Sequence, residues 1–298
     1  MKLFSNPKSD KKSKQSATYF LSFQISAKVY ISGYEKTIYP PYLNIQNFKS
    51  VITSVETLRH FQNIRLENIT NLEFIGKEST FNDTVNHRTF EIINTNIPEF
   101  NCSLFKEMIY TNIYFENVEI GIIDGHVFDH IQVLKNLEFR NVRINKIVSA
   151  AFRNITVVEN IKFSNSKIDL LGTNSLIDIE IYRNLELYNV TFKTISPEAF
   201  KKIKINKTLD LDQLNIIDIS SKAFCEISAN NFKISNSNIE SFHHAFHHVQ
   251  IYNNTLLDNL TIKELSNRGE YFSLNLEIFL VYQNIQKNQE AFYMIEGT

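Results

Sequence analysis

Four histidines crowd one short stretch of the chain: His243, His244, His247 and His248. On a helix, His243 would share a face with His247 and His244 with His248, and an i,i+4 pair of imidazoles can hold zinc or copper. Such a site needs a third or fourth fixed ligand, and the closest carboxylate is Glu240. The plainer reading of the cluster is a solvated loop, with protonation near pH 6 as its main chemistry. No metal is therefore assigned, and the four histidines stand as a weak metal candidate only.

A second set of polar side chains recurs every 23 to 24 residues. One series reads Tyr114, Glu138, Lys162, Glu186, Asp210 and Lys233; two residues further on, another reads Glu116, Arg140, Ser164, Tyr188, Asp212 and Ser235. Opposite charges tend to stand beside each other, which suits ion pairing between neighbouring strands. Tyr114 and Tyr188 are the natural anchors for a partner, because aromatic residues dominate interface energies. The residues expected to meet a partner are Tyr114, Glu116, Glu138, Arg140, Lys162, Tyr188, Asp210 and Asp212. A carboxylate pair can be drawn on any such face, so these acids do not by themselves make an acid–base couple.

Eight Asn-x-Ser/Thr sequons occur, at Asn68, Asn82, Asn101, Asn154, Asn189, Asn206, Asn253 and Asn259. Asparagine is abundant throughout, as AT-rich codons would make it, so each sequon carries limited weight alone. Asn154, Asn206 and Asn253 fall on turning segments and are the better glycan acceptors. No GxSxG, P-loop, Rossmann glycine motif or HExxH is present, and with 7 glycines few loops can cradle phosphate. The expectation is a protein that is not an enzyme and needs no cofactor.

Bulk properties narrow the class further. The chain has 298 residues with 31 basic and 32 acidic side chains, which gives no general electrostatic reason to bind nucleic acid or a membrane. Apolar content of 43% is enough for a core. Cys102 and Cys225 stand far apart and form neither a disulfide framework nor a cysteine zinc site. No stretch approaches the roughly 20 apolar residues of a membrane helix. Tyr19 to Phe23 is too short and too polar for a signal-peptide core.

The polar recurrences belong to a longer frame. Rows beginning at Phe90, Ile113, Leu137, Ile161, Leu185, Leu209 and Phe232 align with row lengths of 23 or 24. Columns one, three, eight, eleven, sixteen and nineteen are apolar in the full rows; column sixteen is Phe in all but Leu176, and the last row slips by one at Phe246. Columns one and three alternate as on a short strand with both side chains on one face. No single row can enclose its apolar residues, so rows must stack, pair their strands in parallel and bury a continuous core.

The frame L-x-L-x-N-x-x-I-x-x-I-x-x-x-A-F-x-x-I resembles the extracellular, 24-residue class of leucine-rich repeats, with Ala151-Phe152, Ala199-Phe200 and Ala223-Phe224 as its Ala-Phe element. Arthropod members similar to the non-catalytic subunit of shrimp luciferase are of this style. The resemblance covers about three quarters of the chain. It implies an α/β solenoid: a horseshoe with a parallel concave sheet and short helices or turns on the convex side. It implies a binding surface for protein or glycan on the concave sheet, and an extracellular or cell-surface location. The alternatives are an accessory subunit that stabilises a separate enzyme chain, and a cytoplasmic scaffold.

Two departures qualify the resemblance. Family repeats set an inward Asn at column six; here that column holds Thr95, Val118, Val142, Ser166, Val190, Leu214 and Ser237, and Asn stands at column five. Either the small β-branched residues fill the inward slot with Asn at the solvent edge, which is the favoured reading, or the turn is shifted and Asn satisfies buried backbone. A right-handed parallel β-helix is the competing fold. Segments such as Ser196-Pro197-Glu198-Ala199-Phe200 favour a helical turn instead, with Ser196 as cap and Pro197 at the first helical position. The expected organisation is a polar basic tail over 1–17, a cap region over 18–42, an array of about nine to ten repeats over 43–265, and a degenerate repeat or cap over 266–298.

Overall fold

The computed structural model describes residues 18–22, 28–31, 42–59, 61–76, 86–242 and 245–265, and three short strands at 274–275, 280–283 and 286–287. Side chains are described from residue 42 to 261, with gaps. The chain winds into a parallel β-solenoid in which every rung pairs with the next in register. Asn160–Leu171 lies against Asn184–Ile195, and Leu176–Ile181 against Phe200–Ile205. One sheet system therefore runs the length of the array. Thr18–Ser22 and Lys28–Ile31 extend it by pairing in parallel with Tyr42–Ser54.

The rung is bent by single residues held in the left-handed region. Column five is left-handed in ten successive rungs, from Asn47 to Asn259, with Gln213 the one residue other than Asn. Asn suits this conformation because its short polar side chain lowers the cost that other L-residues meet there. Two further corners carry left-handed residues of mixed type: His126, Ala150, Asn174, Glu198 and Lys222 at column fourteen, and His130, Asn154, Asp178, Lys202 and Glu226 at column eighteen, most of them without that chemistry.

These corners correct the expected helices. Among the described residues the only helix is Val55–Leu58, capped by the Ser54 hydroxyl. The Ala-Phe segments on the return side are strands entered through tight turns: Phe152–Val157, Phe200–Asp212 and Phe224–Phe242. In Ser196-Pro197-Glu198-Ala199 the Ala199 N–H donates to the Ser196 carbonyl at 3.3 Å, with Glu198 at φ 54°. Proline second and a left-handed residue third define a type II turn, not a helix start. The alanine before each Phe, at 0% exposure in Ala151, Ala199 and Ala223, is small because it is packed inside that turn.

The core is built from the apolar columns. Phe105, Phe128 and Phe152 stack face to face with centroids 4.7 and 4.5 Å apart, as do Phe200, Phe224 and Phe246 at 4.6 and 4.8 Å. Leu176 separates the two runs. Column three forms a second stack, Phe115 on Phe139 on Phe163, which meets the first edge-to-face, as between Phe139 and Phe152 at 6.0 Å. The stacking distance matches the inter-strand spacing of a sheet, about 4.7–4.9 Å, so identical residues on successive rungs repeat the same contact.

Column six fills the inward slot after the bend. Val118, Val142, Val190 and Leu214 are buried, as are Thr95, Ser166 and Ser237. The hydroxyls are not orphans. Ser166 donates to the Ser164 carbonyl at 2.8 Å and accepts the Val142 N–H from the neighbouring rung at 3.0 Å; Ser237 does the same with Ser235 and Leu214. The favoured reading of the displaced Asn column is the one the structure has.

Candidate binding face

Columns two and four point outward from the strands whose columns one and three line the core. They place Tyr114, Glu116, Glu138, Arg140, Lys162, Tyr188, Asp210 and Asp212 on one continuous face. The register sets Tyr114, Glu138, Lys162, Glu186 and Asp210 side by side, and Glu116, Arg140, Ser164, Tyr188 and Asp212 likewise.

Charges on this face largely pair within it. Arg140 reaches Glu138 at 2.8 Å, Lys162 reaches Glu186 at 3.4 Å, and Lys233 reaches Asp210 at 3.4 Å. Arg65 spans Glu67 at 2.9 Å and Glu91 at 3.0 Å. Exposed pairs of this kind contribute about 0–1 kcal/mol each, so they keep the face soluble and in register rather than hold the fold. Burial pushes the Asp210 carboxyl up, and the nearby Asp212 and Glu186 add to this, outweighing the opposing effect of Lys233. For Asp212 burial acts the same way, but hydrogen bonds from Asn236 and Ser235 outweigh it and hold the carboxyl below its ordinary range. Tyr114 is half-buried and its hydroxyl is pushed up by burial, whereas Tyr188 is 41% exposed.

Two rails of amides border the face. Along column five Asn68 donates to Asn47, Asn94 to Asn68, Asn117 to Asn94 and Asn141 to Asn117, all between 2.9 and 3.0 Å. Beyond, Asn189 donates to Asn165 and Asn259 to Asn236. The second rail precedes column one: Asn160 donates to Asn136 and Asn184 to Asn160 at 3.0 and 3.1 Å, and Asn254 to Asn231 at 3.3 Å. This rail is absent from the sequence-based assignment because rows of unequal length scatter it among the last columns. Counting back one residue from each row start would have aligned it.

No family model, curated protein or solved structure matches the chain. The site therefore rests on geometry alone.

The other candidates fall elsewhere. His243 and His244 lie outside the described residues. His247 ends the two-residue strand Phe246–His247 and His248 is left-handed at φ 52°, so neither of these two residues is helical. The two rings meet edge-on with centroids 4.0 Å apart, and burial, then the His248 and Lys222 charges, lower the His247 pKa. Among the described residues no group of three or more potential ligands is placed to hold a metal, and no helix is long and apolar enough to cross a membrane. Asn154 is half-buried and bonded to the His130 ring at 3.0 Å; Asn206 is half-buried within a strand; Asn253 is exposed. Asn101 is exposed outside any strand, and Asn82 lies outside the described residues. Asn68, Asn189 and Asn259 are rail members.

One constellation falls outside the apolar columns and the outward columns two and four. The Asp129 side chain is 2% exposed and accepts two bonds from the Arg153 guanidinium at 2.9 and 2.8 Å. The His130 Nδ1 approaches it at 2.8 Å and the His126 Nδ1 at 3.6 Å. Burial alone would raise this carboxyl; the Arg153 hydrogen bonds and the His130, Arg153 and His126 charges together lower it. Asp129 and Arg153 share column seventeen of adjacent rungs, and His126 and His130 stand at the left-handed corners of columns fourteen and eighteen on either side of Asp129, so stacking brings the four together as a structural clamp between rungs.

Proposed function

We propose that this protein is a non-enzymatic binding module that presents the face of columns two and four to a protein or glycan partner. The observation that carries the reading is that face itself. It is a regular array of outward polar side chains, held in register by a stacked core and bordered by two amide rails, with Tyr188 exposed at its middle. Repeat solenoids bind through such extended faces because one rung cannot supply enough contact area and many can. Kinship with the extracellular leucine-rich repeats is supported by the column frame; the strand-lined return side departs from the helical horseshoe of that class. An extracellular location follows from the same resemblance and from the sequons.

A photo-crosslinking amino acid placed at Tyr188, and separately at Lys204 on the return side, tests the reading in the protein's native source. Specific partner adducts are expected from position 188. Adducts formed equally or better from position 204 would move the binding surface elsewhere.

A further inference from the structure

The whole chain is close to neutral, with 31 basic against 32 acidic side chains, but the candidate face is not. From Arg65 to Asp258, columns two and four together carry four cations against eight carboxylates. Each of the four cations is already paired with a carboxylate of the same face. Asp212 is held by Ser235 and Asn236 rather than by a cation. Beside it in register stands Tyr188, the exposed ring of the face, between Ser164 and Asp212. Glu186 lies two residues before that ring and Asp210 on the next rung, opposite Glu186.

An exposed aromatic face edged by carboxylates attracts a cation, through the ring quadrupole and through direct charge. Arginine fits better than lysine, since its planar guanidinium stacks on a ring while its donors engage a carboxylate in pairs. The bordering amides bond mostly to each other; Asn236 and Asn184 also donate one bond each to Asp212 and Glu186, which leaves both carboxylates their charge and further lone pairs for a cation.

We propose that the face of columns two and four takes a basic, arginine-bearing protein segment, with an arginine seated on Tyr188 between Glu186, Asp210 and Asp212. This rests on the binding-module reading and narrows its partner from protein or glycan to a cationic peptide.

The test is fluorescence anisotropy with three labelled probes and the full chain: a peptide of alternating arginine and serine, its glutamate–serine counterpart, and a neutral β-linked oligosaccharide. The arginine peptide binds, and binding weakens as salt is raised. Tyr188→Ala and Asp212→Asn each weaken it severalfold, Tyr188→Phe retains it, and Glu180→Gln on the return side leaves it unchanged. All variants keep the wild-type circular dichroism spectrum, because the altered side chains face outward. No binding of the arginine peptide, or equal binding to Tyr188→Ala and wild type, overturns the proposal. If the oligosaccharide or the glutamate peptide binds instead and Tyr188→Ala abolishes it, the binding face stands and the cationic partner falls.

Discussion

Asn117 offers a direct measure of what column five contributes. Its backbone sits at φ 54°; its amide donates to Asn94 at 2.9 Å and accepts from Asn141 at 3.0 Å. Replacing it with alanine removes both side-chain bonds and forces a Cβ residue without local hydrogen bonding to hold the left-handed conformation. The conformational cost is about 1–2 kcal/mol. The two exposed bonds, taken at the low end of their range, add about 1 kcal/mol together. Asn117→Ala is therefore expected to lose about 2–3 kcal/mol. Asn117→Gly loses the same two bonds without the left-handed penalty, but adds about 0.5–1 kcal/mol of backbone entropy. Glycine should thus remain about 0.5–1 kcal/mol more stable than alanine, and both less stable than wild type. Urea unfolding followed by circular dichroism reads the order. Hydrogen exchange at the Asn117 N–H, which donates to the Arg140 carbonyl at 2.9 Å, reads the local opening. An alanine variant as stable as the glycine variant would refute the strain argument, and a glycine variant as stable as wild type would refute the rail.

Three further outcomes follow from the same geometry. Asp129→Asn should cost about 2–3 kcal/mol, after discounting a buried pair for the partial exposure of Arg153, and calorimetry would register it. Since the folded Asp129 pKa is lowered, its contribution is present above the unfolded value of about 3.9 and is lost as pH falls through the folded value, so the variant should lose less stability on acidification below about pH 4. Ser166→Ala leaves the buried Val142 N–H without its acceptor and should cost about 1–3 kcal/mol in denaturant melts, while Ser166→Thr, the residue type at column six in Thr95, should be nearly neutral. Gln213→Asn places the preferred left-handed residue in column five and completes the rail beside Asn189 and Asn236; a gain of about 0.5–1 kcal/mol in the same melts is expected.

The sequence by itself determined the period, the inward columns and the outward face. Identical residues recur every 23 to 24 positions because in-register stacking asks the same burial of each rung, and that demand is written into residue type. Phe115, Phe139 and Phe163 could be assigned to the core, and Glu138, Lys162 and Glu186 to neighbouring solvent positions, before any coordinates. Tertiary structure alone decided the path between those columns. Ala150, Glu198 and Lys222 turn left-handed although nothing in their side chains favours it, because turn bonds and pairing to the next rung fix their backbones. That is why the Ala-Phe segments are strands after tight turns and not helices. It also decided which neighbouring polar pair is sequestered: the period sets Asp129 beside Arg153, and the corner geometry takes that carboxylate to 2% exposure with a guanidinium bonded to it.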